Sequence, residues 1–252
     1  MLPVRARRTL QWGRADEGYS PDDLFEWETD LAQLARLSAR SRGAQPTSAL
    51  SGGAAKRLID IVGSLFLLVL LSPLLALVAV AIWADSGLPI IYRCQRVGLH
   101  GRTITILKFR SMHDGSHHHL QELLTDNEER LLQYRQTKKL RDDPRRTRIG
   151  GFLRRLSLDE LPQLVNVLAG QMSLVGPRPY FRHELAGNVQ AESILSVRPG
   201  ITGLWQVSGR SNLTFEQRLA LDEAYVMNHS WKRDTTILLR TLTTVVRGEG
   251  AY

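Results

Sequence analysis

The residues with the most chemical potential lie between Arg154 and Gln163, where Arg154-Arg155-Leu156-Ser157-Leu158-Asp159-Glu160-Leu161-Pro162-Gln163 sets two arginines just before a pair of carboxylates. The pattern reads as a helix start capped by Ser157. The carboxylates of Asp159 and Glu160 suit Mg²⁺, an ion that bridges diphosphate oxygens, and an aspartate can also attack phosphorus to give an acyl phosphate. Arginines at this spacing, Arg154 among them, would neutralise the remaining phosphate charge. Taken alone, an Asp-Glu pair in a first helical turn is also an ordinary favourable interaction with the helix dipole.

Three further clusters carry cations. Lys108-Phe109-Arg110-Ser111-Met112 follows a β-prone run and places Lys108 and Arg110 on one face of an extended segment, spaced to grip an anion. In Val175-Gly176-Pro177-Arg178-Pro179, prolines on both sides of Arg178 restrict the backbone that presents its guanidinium. The stretch Arg198 to Arg210 combines three glycines, Trp205 and two arginines in a backbone that can approach a ligand closely. Each also has a plain reading as a solvated face or a turn. Asp222 sits in a helical pattern with Glu216, Arg218 and Glu223 and reads as part of a solvated face. His113, Asp114 and His117 to His119 make a poor chelate, because consecutive helical residues point in different directions.

The elements that must position these groups include a long apolar run. From Leu58 to Trp83 almost every residue is apolar, with no charge between Asp60 and Asp85. A straight helix of this length crosses a bilayer. Ser72-Pro73 falls in its middle, where proline removes a backbone donor and clashes with the preceding turn. Each half then spans roughly 18 to 21 Å, short of the roughly 30 Å hydrocarbon core. Lys56 and Arg57 before the run, with Arg93 and Arg96 after it, favour both ends on one cytoplasmic side and hence a re-entrant hairpin. A spanning helix is the alternative.

After the run, β-prone residues 89–92 and 103–107 flank a Gly98 to Gly101 turn and predict a small hairpin. Helical patterns recur at 118–140, 159–169, 214–228 and 231–247. Before the run, residues 20–40 predict an amphipathic helix and residues 41–55 a linker. The expected class is α+β: a small sheet with surrounding helices, preceded by a helix-break-helix hairpin in the membrane. The expected units are a polar extension over 1–55, the re-entrant helix over 56–84 and a cytoplasmic catalytic domain over 85–252.

The chain has 252 residues and a net charge of +8, which favours an anionic partner. Cys94 is the only cysteine, which excludes an intramolecular disulfide and a multi-cysteine metal site. Nothing near the start reads as a cleaved secretory signal. Nucleic acid is not an expected partner, since few aromatics interleave with the arginines and a soluble module would have no use for the apolar run.

Lys56-Arg57 with Asp60, the Ser72-Pro73 break, Lys108 to Met112, Asp159-Glu160, Pro177-Arg178-Pro179 and Arg198 to Arg210 occur in one order. From about Lys56 to Tyr252 the chain resembles the bacterial sugar transferases, the monotopic phosphoglycosyl transferases also called polyprenyl glycosylphosphotransferases. Thr202 to Arg210 and the closing residues 247–252 look more like the hexose-1-phosphate transferases of exopolysaccharide and O-antigen synthesis than the smallest acetamidosugar enzymes. The resemblance implies a UDP-sugar donor, a polyprenyl phosphate acceptor, Mg²⁺ and a bacterial inner-membrane location with the catalytic domain in the cytoplasm. It further implies that Asp159 attacks the β-phosphate and expels UMP, that Glu160 helps hold the metal, and that Lys108, Arg110, Arg154, Arg178 and Arg210 grip phosphates or nucleotide, with Asp222 a weaker candidate. Many larger members carry spanning helices and a further domain where this chain has some 55 polar residues. A homodimer, a nucleotide-sugar hydrolase and an inactive membrane scaffold stay open at this point.

Overall fold

A computed structural model describes residues 53–248. The expected 20–40 helix, and all but the last residues of the linker, lie outside them. Two helices come first, α1 (Ala54–Leu70) and α2 (Ser72–Ser86), bent at 62° to one another. Among the described residues no single helix is long and apolar enough to cross a membrane, although this bent pair passes that test together.

The bend has a local cause. Leu71 N still donates to Leu67 O at 2.9 Å and Leu75 N to Leu71 O at 2.8 Å, so the ladder is intact on either side. Pro73, in the first turn of α2 where its missing N–H is tolerated, cannot donate to Val69 O. The Ser72 hydroxyl donates to that carbonyl instead, at 2.8 Å. The Ser-Pro pair thus bends the chain without leaving an orphan acceptor on an apolar surface.

α1 is apolar on the outside and polar within. Leu58, Val62, Leu65, Phe66 and Val69 are exposed, as are Leu77, Val80 and Trp83 of α2, whereas Asp60 and Ser64 are buried. Asp60 accepts from Ser173 Oγ at 3.0 Å and Leu174 N at 2.9 Å. Lys56 and Arg57, read from sequence as topology charges, also have internal partners: Lys56 Nζ pairs with Asp234 at 2.6 Å, and Arg57 donates to the carbonyls of Val167 and Leu168 at 2.6 and 2.9 Å.

The expected hairpin forms and runs longer than the sequence indicated. β1 (Ile91–Val97) pairs antiparallel with β2 (Thr103–Phe109), from Ile91 opposite Phe109 to Val97 opposite Thr103. Alternation buries Cys94, Arg96, Ile104 and Ile106 on one face and carries Lys108 along the same side. Arg110 lies beyond the strand, and its side chain is placed elsewhere. Its guanidinium is buried against α2's end, donating to Leu88 O at 2.9 Å and Gly87 O at 2.6 Å as well as to Ser86 O.

Next come α3 (Ser116–Thr125), α4 (Glu128–Thr137), α5 (Arg148–Arg155), a 3₁₀ turn at Leu158–Glu160 and α6 (Gln163–Leu168). The single pattern over 118–140 is therefore two helices. Asn127 caps the second through Arg130 N. A second sheet, absent from the sequence reading, pairs β3 (Ser173–Val175) in parallel with β4 (Gly200–Thr202). Its strands fall in glycine-rich sequence because the backbones nearly touch: a Cβ on Gly176 would stand 2.5 Å from Arg198 O. Short helices α7 (Arg182–Leu185), α8 (Ala191–Ile194) and α9 (Leu204–Ser208) precede α10 (Phe215–Met227) and α11 (Trp231–Arg247). Ile104, Ile106, Leu164, Val167, Met172, Val175, Tyr225 and Ile237 form the largest core cluster, which joins β2 to α6, β3, α10 and α11.

Candidate active site

The turn carrying Asp159 is tight. Ser157 takes a left-handed conformation, φ 55° and ψ 22°, and makes no side-chain cap, contrary to its reading as an N-cap. Its hydroxyl instead accepts from the Arg210 guanidinium, and Arg210 is itself left-handed at φ 53°. Two strained residues, each costing about 1 kcal/mol, are thus tied to one another across the floor of a cleft.

The cleft is lined by Arg96, Lys108, Lys139, Arg154, Arg178 and Arg210 around Asp159 and Glu160. Lys108 Nζ pairs with Glu160 Oε1 at 2.7 Å. Burial opposes charge on Glu160, but the attraction and hydrogen bond of Lys108, helped by Arg178 and Lys139, hold it below the usual glutamate range. Burial pushes Asp159 the other way, above the usual aspartate range, with Glu160's charge adding to the rise and Lys108 and Arg154 opposing it. The neighbouring carboxylates are thereby made unequal, the more basic one being Asp159. Burial also drives the Lys139 ammonium well below its ordinary value, and the nearby Arg178, Arg154 and Arg218 push it further.

The geometry brings together Lys108, Arg154, Asp159, Glu160, Arg178 and Arg210. It places Arg110 elsewhere, as described, and Asp222 behind the site. Asp222 is fully buried, neither on a solvated face nor in the cleft wall. Its Oδ2 accepts from Arg178 N at 2.9 Å and from Tyr180 Oη at 2.8 Å, so it positions the Pro177-Arg178-Pro179 segment from the rear. The Arg178 guanidinium lies 5.6 Å from the Trp205 ring centre. Sequence reasoning missed Arg96, Lys139, Gln163 and Gln206 as cleft residues. Only Arg96 had a legible signal, an arginine at an inward position of an alternating strand; its guanidinium stacks on Phe181 at 3.1 Å.

Asp222 gives a pH prediction. Burial raises its pKa from 3.8 to about 7. The folded chain therefore keeps a proton that the unfolded chain releases, and this group's contribution to stability falls as pH rises from about 4 to about 7, by about 1.4 kcal/mol per unit. Asp222→Asn, whose amide oxygen keeps both hydrogen bonds, should flatten that slope in melting curves between pH 5 and 8. A slope unchanged by the substitution contradicts the assignment.

An apolar groove adjoins the cleft, lined by Leu67, Leu71 and Leu74 at the helix bend, by Leu161 and Leu164, and by Leu238, Leu242 and Val245 of α11. Ser157, Glu160, Ile201, Gln206 and Arg210 line both spaces.

The cationic cleft is built round a buried, basic aspartate and shares part of its wall with the apolar groove. Residues 51–248 match the profile of the family described as bacterial sugar transferase. The chain is 43% identical over 202 residues to the exopolysaccharide production protein ExoY of Sinorhizobium fredii, covering 80% of this chain and 89% of that protein. It is 46% identical over 200 residues to a UDP-galactose-lipid carrier transferase of Erwinia amylovora and 44% over 198 residues to an undecaprenyl-phosphate galactose phosphotransferase of Salmonella typhimurium. Each of those two matches covers 78% of this chain and 41% of the relative, so the chain spans less than half the length of either. The chain belongs to the bacterial sugar transferase family, and its class of activity is sugar-phosphate transfer.

Proposed function

We propose that the protein transfers a hexose 1-phosphate, galactose 1-phosphate foremost, from its UDP derivative to a polyprenyl phosphate, releasing UMP and initiating exopolysaccharide assembly. The observation that carries this reading is the junction of the cationic cleft with the apolar groove at the helix bend. The cleft suits the diphosphate and the groove suits the hydrocarbon chain of the acceptor. The exposed apolar faces of α1 and α2 fit a hairpin dipping into the cytoplasmic leaflet of a bacterial inner membrane, with the rest of the chain on the cytoplasmic side.

In the first half-reaction an Asp159 carboxylate oxygen forms a bond to the β-phosphorus. The bond from that phosphorus to the bridging oxygen breaks, and UMP leaves with the electron pair. In the second, an oxygen of the lipid phosphate attacks the same phosphorus, which breaks the acyl phosphate bond, restores the carboxylate and yields the polyprenyl diphosphate sugar. Arg154, Arg178, Arg210 and Lys108 offset the phosphate charge in both. Among the described residues no group of three His, Cys, Asp or Glu side chains is placed to hold a metal. Asp159 and Glu160 with substrate phosphates fit Mg²⁺, which binds through one or two carboxylates and phosphate oxygens. When bound, it would neutralise charge on the diphosphate.

The test is release of UMP from labelled UDP-galactose and UDP-glucose by detergent-purified protein with Mg²⁺, with and without undecaprenyl phosphate. Lipid-dependent release, with label moving into the organic phase, is the expected result. Equal release without lipid means hydrolysis, and no release with either donor returns the scaffold reading.

A further inference from the structure

Three polar atoms in the cleft wall have no hydrogen-bond partner among the described residues: Gln163 Nε2, Trp205 Nε1 and Gln206 Oε1. Gln163 and Trp205 are 1% and 4% exposed, and all three residues line the same cleft as Asp159. A buried polar atom left unpaired costs about 1–3 kcal/mol. Three in one wall therefore mark a surface that a ligand completes. Gln206 Nε2 donates to Ile201 O at 3.3 Å, so its buried oxygen is the end left without a partner.

The chemistry of the missing partner follows from the set. Two atoms belong to N–H donors, one is a carbonyl acceptor and none is charged, so they call for neutral groups that both accept and donate. Hydroxyls do this. The cations of the cleft suit phosphate, which these three atoms do not need to serve. Position separates sugar from nucleoside: in an in-line displacement the nucleophile and the leaving phosphate stand on opposite sides of phosphorus, so the nucleoside extends away from Asp159 while the sugar oxygen stays equatorial. Gln163 opens α6 just past the 3₁₀ turn that carries Asp159, so the chain holds it near the nucleophile and away from the departing nucleoside.

We propose that Gln163, Trp205 and Gln206 form the subsite that takes hydroxyl groups of the donor hexose. This rests on the reading of the chain as a hexose-1-phosphate transferase and assigns that activity's sugar recognition. The experiment compares wild type with Trp205→Phe, which removes only the indole N–H and part of the ring, and with Gln163→Met. Lipid-dependent UMP release is measured with UDP-galactose, UDP-glucose and monodeoxyfluoro analogues of each, alongside inhibition by UMP alone. Each variant should lose about tenfold in kcat/KM on the preferred UDP-hexose, and should no longer distinguish that donor from one particular deoxyfluoro analogue, because the protein partner of that hydroxyl is already gone. Inhibition by UMP, which has no hexose, should stay within about twofold, consistent with a lost contact that UMP never makes. Equal weakening of UMP would mean that these side chains serve the nucleotide, and variants that keep every analogue's penalty would place the hydroxyls elsewhere; either result overturns the subsite while leaving the transferase reading intact. A wild-type protein that turns over no UDP-hexose sinks both. Gln206→Met provides a third reporter should either of the others melt early.

Discussion

Asp159→Asn should abolish turnover, with UMP release falling at least about a thousandfold, while the melting temperature should stay within a few degrees of wild type. The amide has nearly the carboxylate's volume, so the packing under the Leu158–Glu160 turn survives, but it cannot form the acyl phosphate. Removing a buried charge whose pKa is already raised relieves a desolvation penalty and should not unfold the chain. Mixing wild type with labelled donor in the absence of lipid should leave label on acid-precipitated protein, and the variant should leave none. Turnover retained by Asp159→Asn removes the nucleophile from this account. The same basicity sets the acid limb of the pH profile: activity should fall, as pH decreases, above the range of an ordinary exposed aspartate.

Arg110→Met should destabilise the protein by about 3 kcal/mol without a matching change in KM for the UDP-sugar. The buried guanidinium serves carbonyls of Ser86, Gly87 and Leu88, where the chain leaves α2 and turns toward β1. Truncation leaves those acceptors unpaired, and hydrogen bonds to charged groups are worth about 1.5–3 kcal/mol each, with partial compensation by water. Denaturant unfolding checks the first half of this prediction and initial-rate kinetics the second. A large rise in KM with unchanged stability would restore Arg110 to the ligand-binding role that its sequence neighbourhood indicated.

The comparison of these two cations shows where sequence was informative. Lys108 and Arg110 both follow a β-prone run at a spacing of two, yet β2 ends at Phe109 and only Lys108 keeps the inward direction of Ile104 and Ile106. One residue past the ladder, alternation no longer governs where a side chain goes. The hairpin, the bend and the long helices α10 and α11 were legible because each is written in local periodicity or in a proline. The β3–β4 pair was not, since it joins glycine-rich segments through backbone contact, which leaves no hydrophobic pattern to read. Lys139 was missed for a related reason: it reaches the cleft through tertiary packing, and nothing in its immediate neighbours marks it. Asp222 was seen, but its work, holding the Arg178 backbone from behind, depends on a fold that brings residues 44 positions apart into contact.

Arg210, Ser157 and Glu160 stand in the wall shared by the polar cleft and the apolar groove. A boundary made of the same side chains on both sides gives the two spaces one shared set of phosphate-facing groups, Arg210 among them. In the proposed reaction donor and acceptor then take turns, like passengers at a turnstile: the lipid's phosphate would enter the space that UMP has just vacated. On that reading accumulated UMP should hinder the lipid as well as the nucleotide sugar, so that clearance of UMP would act as a throttle on the proposed transfer.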